Sequence, residues 1–251
     1  MSINKRNLRD FTFLFSFRID SPDRMENLFA TLRFLSLNFN STFLLLEAGP
    51  QQQLSNAAVS ALGTNFYYSY CEDHRHFFYR TYYNNQLIQQ VNTPYYLLYD
   101  ADIIIPGAQL ERAADMMRQN KATAVYPYDG RFYETDIYLR KLFINTGNES
   151  CLEKYVDYHR LSFSKSYGGV VMLNKSGYGA CGQENLGIRG WGPDDIERVR
   201  RLRILGHKIE RVDGPLYHLF HQRNQFSLPQ YSSDNQKEYL KVCAMHKPQL
   251  V

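Results

Sequence analysis

Glycine is absent from the start of this chain, Gly49 being the first. An apolar stretch at Phe11–Phe17 is therefore not followed by a Gly-rich loop that could cradle a triphosphate, which sets aside the sugar nucleotidyltransferases. Nor does a G-x-G-x-x-G follow that stretch, as a Rossmann-type dehydrogenase would require. The four cysteines, Cys71, Cys151, Cys181 and Cys243, are widely separated with no C-x-x-C pair, so neither a zinc knuckle nor a disulfide framework is indicated. Long apolar runs are missing as well. "FTFLFSF" has only seven residues, too few for a secretory signal core or a bilayer span. With 29 Lys and Arg against 25 Asp and Glu the net charge is +4, and no basic block is dense enough to suggest nucleic acid.

What is abundant is aromatic: 20 Tyr and 16 Phe against one Trp, most of them expected in the core or at its rim. Over 251 residues with 44% hydrophobic content, the order of elements favours an α/β fold. Strands are predicted at Phe11–Phe17, Ser41–Glu47, 65–70 and from Tyr95, with helices at Pro22 onward (capped by Ser21), 51–62 and 76–91 between them. That alternation specifies parallel strands joined by crossover helices. Beyond Pro106 come a helix, a strand at 122–130, a possible helix at Glu134–Phe143 and a loop at 145–150. A strand at Gly168–Leu173, a helix over 194–206, strands at 207–212 and 215–220 and a weak helix near Asn235–Val242 complete the pattern.

The fourth strand ends in "YYLLYDADIIIP", an apolar run closed by Asp100 and Asp102. Buried carboxylates are costly unless paired or bound to a metal. In a parallel sheet, ligands bind beyond the carboxyl ends of the strands, where this pair lies. Taken alone, the pair reads equally well as helix-capping acids ahead of "PGAQLERA".

The second half carries "YGGVVML", then "GWGPDD" and a basic amphipathic helix, then "YHLFHQR". Gly190-Trp191-Gly192-Pro193-Asp194-Asp195 resembles the Gly-Trp-Gly and Glu-Asp pattern of the β1,4-galactosyltransferases, with Asp194 in place of the usual Glu. "FSFRIDSPDRMENL" is similar to that family's first strand and Phe-Arg turn, and "RTYYNNQ" to its helix before D-x-D. The resemblance extends roughly from Phe11 to Arg223, and these motifs in this order are jointly far more specific than any one of them.

The resemblance implies a GT-A fold: a single domain over residues 1–223 with a mixed, mostly parallel sheet flanked by helices, and a tail at 224–251 packing on it. The nucleotide-binding half would be about 11–105 and the acceptor half about 106–223. It implies a metal-dependent inverting glycosyltransferase using a UDP-sugar, galactose favoured and GalNAc possible, with a saccharide or glycolipid acceptor. Mn²⁺ (or Mg²⁺) would be held by Asp102 and by His221, as in the related polypeptide N-acetylgalactosaminyltransferases, with His218 the other candidate. On a strand, H-x-x-H places the two histidines on opposite faces, so at most one should reach the site; a plain hydrogen-bonded pair is the other reading. Asp195 would be the base and Asp194 would hold the acceptor, although "PDD" also suits a helix start.

Donor contacts by the same resemblance are Phe17, Arg18, Glu47, Arg80, Asn85, Asp100, Gly169 and Trp191, and Ser166 stands where the family has a tyrosine that crowds the sugar's 2-substituent. For Phe17, Arg18, Glu47, Arg80 and Asn85, a surface or capping role is equally open. Asp129 reads either as an acceptor-site neighbour or as a turn residue. The alternative function is a non-catalytic or hydrolysis-only UDP-sugar or saccharide binder on the same fold. A reducing cytoplasm suits the unpaired cysteines. Peripheral contact at the inner membrane face is the most that the sequence offers a membrane, and the expected setting is bacterial polysaccharide or glycolipid assembly.

Overall fold

The computed structural model describes residues 5–222 and 231–250. Arg223, included in the expected domain, lies outside the described residues, as does most of the first part of the expected tail. The elements in order are β1 (Arg6–Phe17), α1 (Pro22–Asn38), β2 (Phe39–Gly49), α2 (Asn56–Ser60), β3 (Phe66–Glu72), α3 (Arg80–Gln89), β4 (Tyr95–Tyr99), β5 (Ile103–Ile104), α4 (Gly107–Asn120) and β6 (Ala124–Tyr126). They continue with β7 (Phe132–Glu134), α5 (Ile137–Thr146), α6 (Ser150–Lys154), β8 (Arg160–Phe163), β9 (Val170–Asn174), α7 (Lys175–Gly179), α8 (Asp194–Leu205), β10 (Ile209–Arg211), β11 (Leu216–His218) and α9 (Ser232–Ala244).

Among the described residues the strands form two sheets. The larger has the order β10-β6-β9-β4-β1-β2-β3, parallel except for β9, which runs antiparallel to both neighbours. This is the mixed, mostly parallel α/β sheet that the resemblance implies; the alternation of strands and helices gave its parallel part and not the antiparallel β9. Its centre is nearly continuous in apolar residues: Phe11, Phe13 and Phe15 on β1, Phe43 and Leu45 on β2, and Tyr96 and Leu97 on β4 are all buried. Strands covered by helices on both faces require that composition. Among the described residues, no helix is long and apolar enough to cross a membrane.

The smaller sheet, β5-β11-β7-β8, was not foreseen. Its strands have two to four residues, too short for a period to show in sequence. The expected helix at Glu134–Phe143 gives way to β7 and a later helix start, because Asp136 accepts hydrogen bonds from the Tyr138 and Leu139 amides and caps α5 there. The expected loop at 145–150 is instead the end of α5, a left-handed turn at Gly147 and the start of α6. The helix expected from residue 76 starts at Arg80. Phe78 packs against the core and Phe77 against Tyr231, and these contacts hold the aromatic run outside the helix. α2 is likewise shorter than expected, because Ser55 caps it.

What positions the site is the junction of the two sheets. β4 belongs to the large sheet and β5 to the small one, so Asp100, Ala101 and Asp102 form the turn between them. That turn is pinned from both sides. The Asp100 amide donates to the Gly169 carbonyl at 2.8 Å, and the Leu219 amide donates to the Asp102 carbonyl at 2.8 Å.

Candidate active site

A cleft of about 700 Å³ opens at the carboxyl ends of β1 and β4. It takes in Phe17, Arg18, Arg80, Asp100, Asp102, Ser166, Gly169, Trp191, Asp195, His218 and His221. Segments as far apart in the chain as Phe17 and His221 thus converge where an α/β sheet of this kind binds ligands.

Its floor is Asp102. β11 ends at His218, so the strand's alternation does not extend through Leu219 to His221. Both histidines consequently reach the same carboxylate, His221 Nε2 at 3.2 Å and His218 Nε2 at 3.5 Å from Asp102 Oδ2. The expectation that they would point to opposite faces is therefore corrected: only one of the two lies on a strand. The three ligand atoms fall within 4.8 Å of one another. Burial would push Asp102 up, but the two imidazoles hold it well below the usual carboxylate range. Burial pulls His221 down, and Asp102 more than offsets this, leaving the imidazole raised. One carboxylate and two imidazoles, convergent and buried except for the half-buried His218, suit a divalent ion of the transition row. Nitrogen donors favour Mn²⁺ over Mg²⁺.

Arg80 forms the flank. Its guanidinium lies 3.3 Å from Asp100, 2.6 Å from Asp194 and 3.1 Å from Asp195. Three carboxylates around it raise its pKa, against the lowering effect of burial. Burial pushes Asp100 up to about 6, with Arg80 opposing and Asp102 adding. That side chain keeps 38% of its surface, so water screens it more than it does Asp102. Asp195 is held on both sides, Oδ2 by Arg80 and Oδ1 by Arg198 at 3.0 Å. Arg198 in turn is anchored by Glu184 at 2.7 Å, an almost fully buried pair. Asp195 Oδ2 also lies beside Gly168, where a Cβ would stand 3.0 Å from it.

Asp194 is different. It opens α8 but is buried and does not line the cleft. The 2.6 Å approach of Arg80 is an ion pair without hydrogen-bond angles, and among the described residues neither carboxylate oxygen has a hydrogen-bond partner. Burial first, then Asp195, push it up to about 7 against the pull of Arg80. Its expected place against an acceptor sugar is not what this geometry provides.

Two of the expected donor residues also stand elsewhere. Glu47 is buried, with its oxygens taken by the Gln53 and Leu54 amides and the Tyr68 hydroxyl, so it closes the turn after β2 instead of facing the cleft. Asn85 exchanges hydrogen bonds with the Glu184 backbone and ties α3 to the segment before α8. Arg18 does line the cleft, but its guanidinium bonds Asp73 at 2.9 Å and the Ala48 and Arg75 carbonyls. Asp129 accepts from the Arg131 and Gly214 backbone amides, as a turn residue does. Ser166 Oγ accepts from the Gly168 amide at 3.1 Å and remains on the cleft wall. Gly169 has φ +88, and a Cβ there would meet Leu216 Cδ1 at 2.8 Å.

Sequence reasoning missed Arg198 and Glu184, which hold Asp195, and the Asp20–Arg24 pair at 3.1 Å on the cleft rim. The i,i+3 spacing of Asp195 and Arg198 on a helix was the available signal for the first. The partner Glu184 lies in a segment without periodicity and gave none.

Residues 150–223 match a family model described as the N-terminal domain of galactosyltransferase, less than a third of the chain. That span contains Trp191, Asp194, Asp195, His218 and His221, and α9 lies beyond it. The structure resembles the catalytic domain of Drosophila beta1,4galactosyltransferase 7, solved in complex with xylobiose. The TM-score is 0.55 at 16% identity, over 91% of this chain and 77% of that one. No curated protein sequence matches the chain. At that identity the likeness establishes the fold: an α/β glycosyltransferase catalytic fold with the cleft where the sheets meet.

Proposed function

We propose that this protein is a metal-dependent inverting glycosyltransferase that moves a sugar from a UDP-sugar to a hydroxyl of a saccharide or glycolipid. The observation that carries this reading is the convergence of Asp102, His218 and His221 on the floor of the same cleft that holds Asp195 and Trp191. Support for the class comes from the matched span and the shared fold. UDP-galactose is the favoured donor, on resemblance to galactosyltransferases, and the small Ser166 leaves room for UDP-GalNAc.

Asp102, His218 and His221 would hold Mn²⁺, which when bound supplies Lewis-acid neutralisation of the departing diphosphate. Asp195 does the proton work. An acceptor hydroxyl in the cleft loses its proton to this carboxylate as its oxygen attacks the anomeric carbon on the face away from the diphosphate. The new C–O bond forms as the bond to the diphosphate oxygen breaks, the electron pair leaves with UDP and the configuration inverts. Arg80, already between Asp100 and Asp195, orients the base and lies beside the donor's charge. Phe17 and Arg18 wall the nucleotide side, and Trp191, 55% exposed, offers a flat face to a sugar.

The test is UDP binding and UDP release from UDP-galactose, with and without Mn²⁺. Asp102→Ala should remove the Mn²⁺-dependent part of UDP binding in a protein that stays folded, since one of few ligands is lost. Normal metal dependence in that variant refutes the assignment.

A further inference from the structure

Between His218 and His221 lie only Leu219 and Phe220, and the backbone of that link is engaged from outside β11. The His218 carbonyl accepts from the Thr135 amide at 2.9 Å, and the Leu219 amide donates to the Asp102 carbonyl at 2.8 Å. The Phe220 amide donates to Thr135 Oγ1 at 3.0 Å. Asn27 Nδ2 donates to the remaining two carbonyls, that of Leu219 at 2.9 Å and that of Phe220 at 3.4 Å. In a longer strand a neighbouring backbone would meet these groups. Here two side chains and the turn at Asp102 meet them, so the chain leaves β11 after His218 with its donors and acceptors satisfied.

The two side chains are themselves held. Asn27 of α1 is fully buried and lies 192 residues from Leu219 in the chain. Its Oδ1 accepts from Arg140 Nε of α5 at 2.8 Å. A guanidinium only donates, so this contact decides which end of the amide faces the link: Oδ1 toward Arg140, Nδ2 toward the carbonyls. Arg140 is buried as well, anchored by Glu26 at 2.9 Å and the Asp23 carbonyl at 3.2 Å. Thr135, also buried, immediately precedes the Asp136 that caps α5. None of the three lines the cleft. Apolar side chains would hold α1 on α5 without the cost of burying a charge. They would not fix the rotation of the Leu219 and Phe220 peptide planes, and those planes aim the two imidazoles.

We propose that Asn27 and Thr135 are positioning residues for the cluster of Asp102, His218 and His221. They hold the link between the histidines so that both imidazoles converge on one carboxylate. A role in metal binding rests on the reading of that cluster as a Mn²⁺ site, whereas the placement of the imidazoles does not.

The test uses Asn27→Asp in the full chain, at a temperature where circular dichroism shows wild type and variant both folded. The substitution keeps the size and the acceptor for Arg140 but sets a charged oxygen against two carbonyls. Mn²⁺ affinity is read by electron paramagnetic resonance without nucleotide, and the Kd should rise by about 10- to 100-fold, as when a partner behind a metal ligand is removed. Co²⁺ in place of Mn²⁺ gives a visible spectrum that reports ligand geometry. Its bands should shift, which lower stability alone would not cause in a folded sample. In the metal-free protein, the imidazole ¹⁵N resonances of His218 and His221 should move, while His207, bonded to Thr123 far from the link, keeps its own. Thr135→Val is nearly isosteric and removes only the Phe220 acceptor, so a Kd rise of about threefold is expected; it decides the matter where Asn27→Asp does not fold. A Kd and a Co²⁺ spectrum that match the wild type's in a folded variant overturn the role in metal binding, and unmoved histidine resonances overturn the placement itself. A wild type that binds neither ion, with resonances that still move in the variant, refutes the metal reading alone.

Discussion

The floor and the flank of the cleft are built from the same kind of acid in opposite company. Asp102 meets two imidazoles, groups that can give up a proton and turn a lone pair toward a cation. Asp195 meets two guanidiniums, which are charged at any working pH and offer no lone pair. An aspartate between histidines can exchange their protons for a metal. An aspartate between arginines is oriented by charges that do not titrate. The chemistry available to each carboxylate is set by its neighbours, and Asp100, two residues from Asp102 but paired with Arg80, makes the same point within one turn of chain.

The comparison breaks most sharply at the base. Asp195→Asn keeps shape and one accepting oxygen but cannot take the proton, so turnover should fall by roughly 10²–10⁴ with UDP affinity nearly constant. Steady-state kinetics beside Asp194→Asn decides the assignment. If the buried Asp194 is the more damaging for turnover, Asp195 is not the base.

Next in size is the anchor of the flank. Burial pushes Glu184 up, but Arg198 overrides it and, with the Tyr178 hydroxyl, lowers it from 4.5 to about 2. A folded value below the unfolded one means that the stabilisation is present above pH 4.5 and is lost as pH falls from there toward 2. That window corresponds to roughly 3 kcal/mol. Glu184→Gln should flatten this acid branch in denaturant titrations at several pH values, and should destabilise at neutral pH by leaving Arg198 buried without its partner. An unchanged acid branch would show that the pair does not govern stability.

The smallest effect is expected at Ser166, on the cleft wall near Gly168 and Asp195. Ser166→Tyr should shift the kcat/KM ratio toward UDP-galactose and against UDP-GalNAc by about tenfold, as a filled pocket excludes the N-acetyl group. A ratio that does not move would mean that this position does not line the donor pocket.

Much of this was legible in the chain. The apolar runs at Phe11, Ser41 and Tyr95 with amphipathic segments between them specify parallel strands and crossover helices, because period and length are local properties of the backbone. The order of D-x-D, Gly-Trp-Gly-Pro-Asp-Asp and H-x-x-H marked Asp100, Asp102, Trp191, Asp195, His218 and His221, which share one cleft, whereas Asp194 of the same motif does not line it. Local pattern failed where an element is too short to show a period, as in β5, or where a cap decides the start, as Asp136 does for α5.

Which atoms face one another was decided only in three dimensions. Glu47 and Asn85 matched donor positions by motif, yet the oxygens of Glu47 are taken by the amides of its own turn and by Tyr68, and the amide of Asn85 by the Glu184 backbone 99 residues away. His218 and His221 face one carboxylate because β11 ends between them, a boundary fixed by pairing with β5 and β7 and not by any property of the histidines. Asn27 reached Leu219 across 192 residues for the same reason. Sequence sets backbone preference and burial along the chain, while the partner of a polar group depends on which distant segment packing brings within about 3 Å.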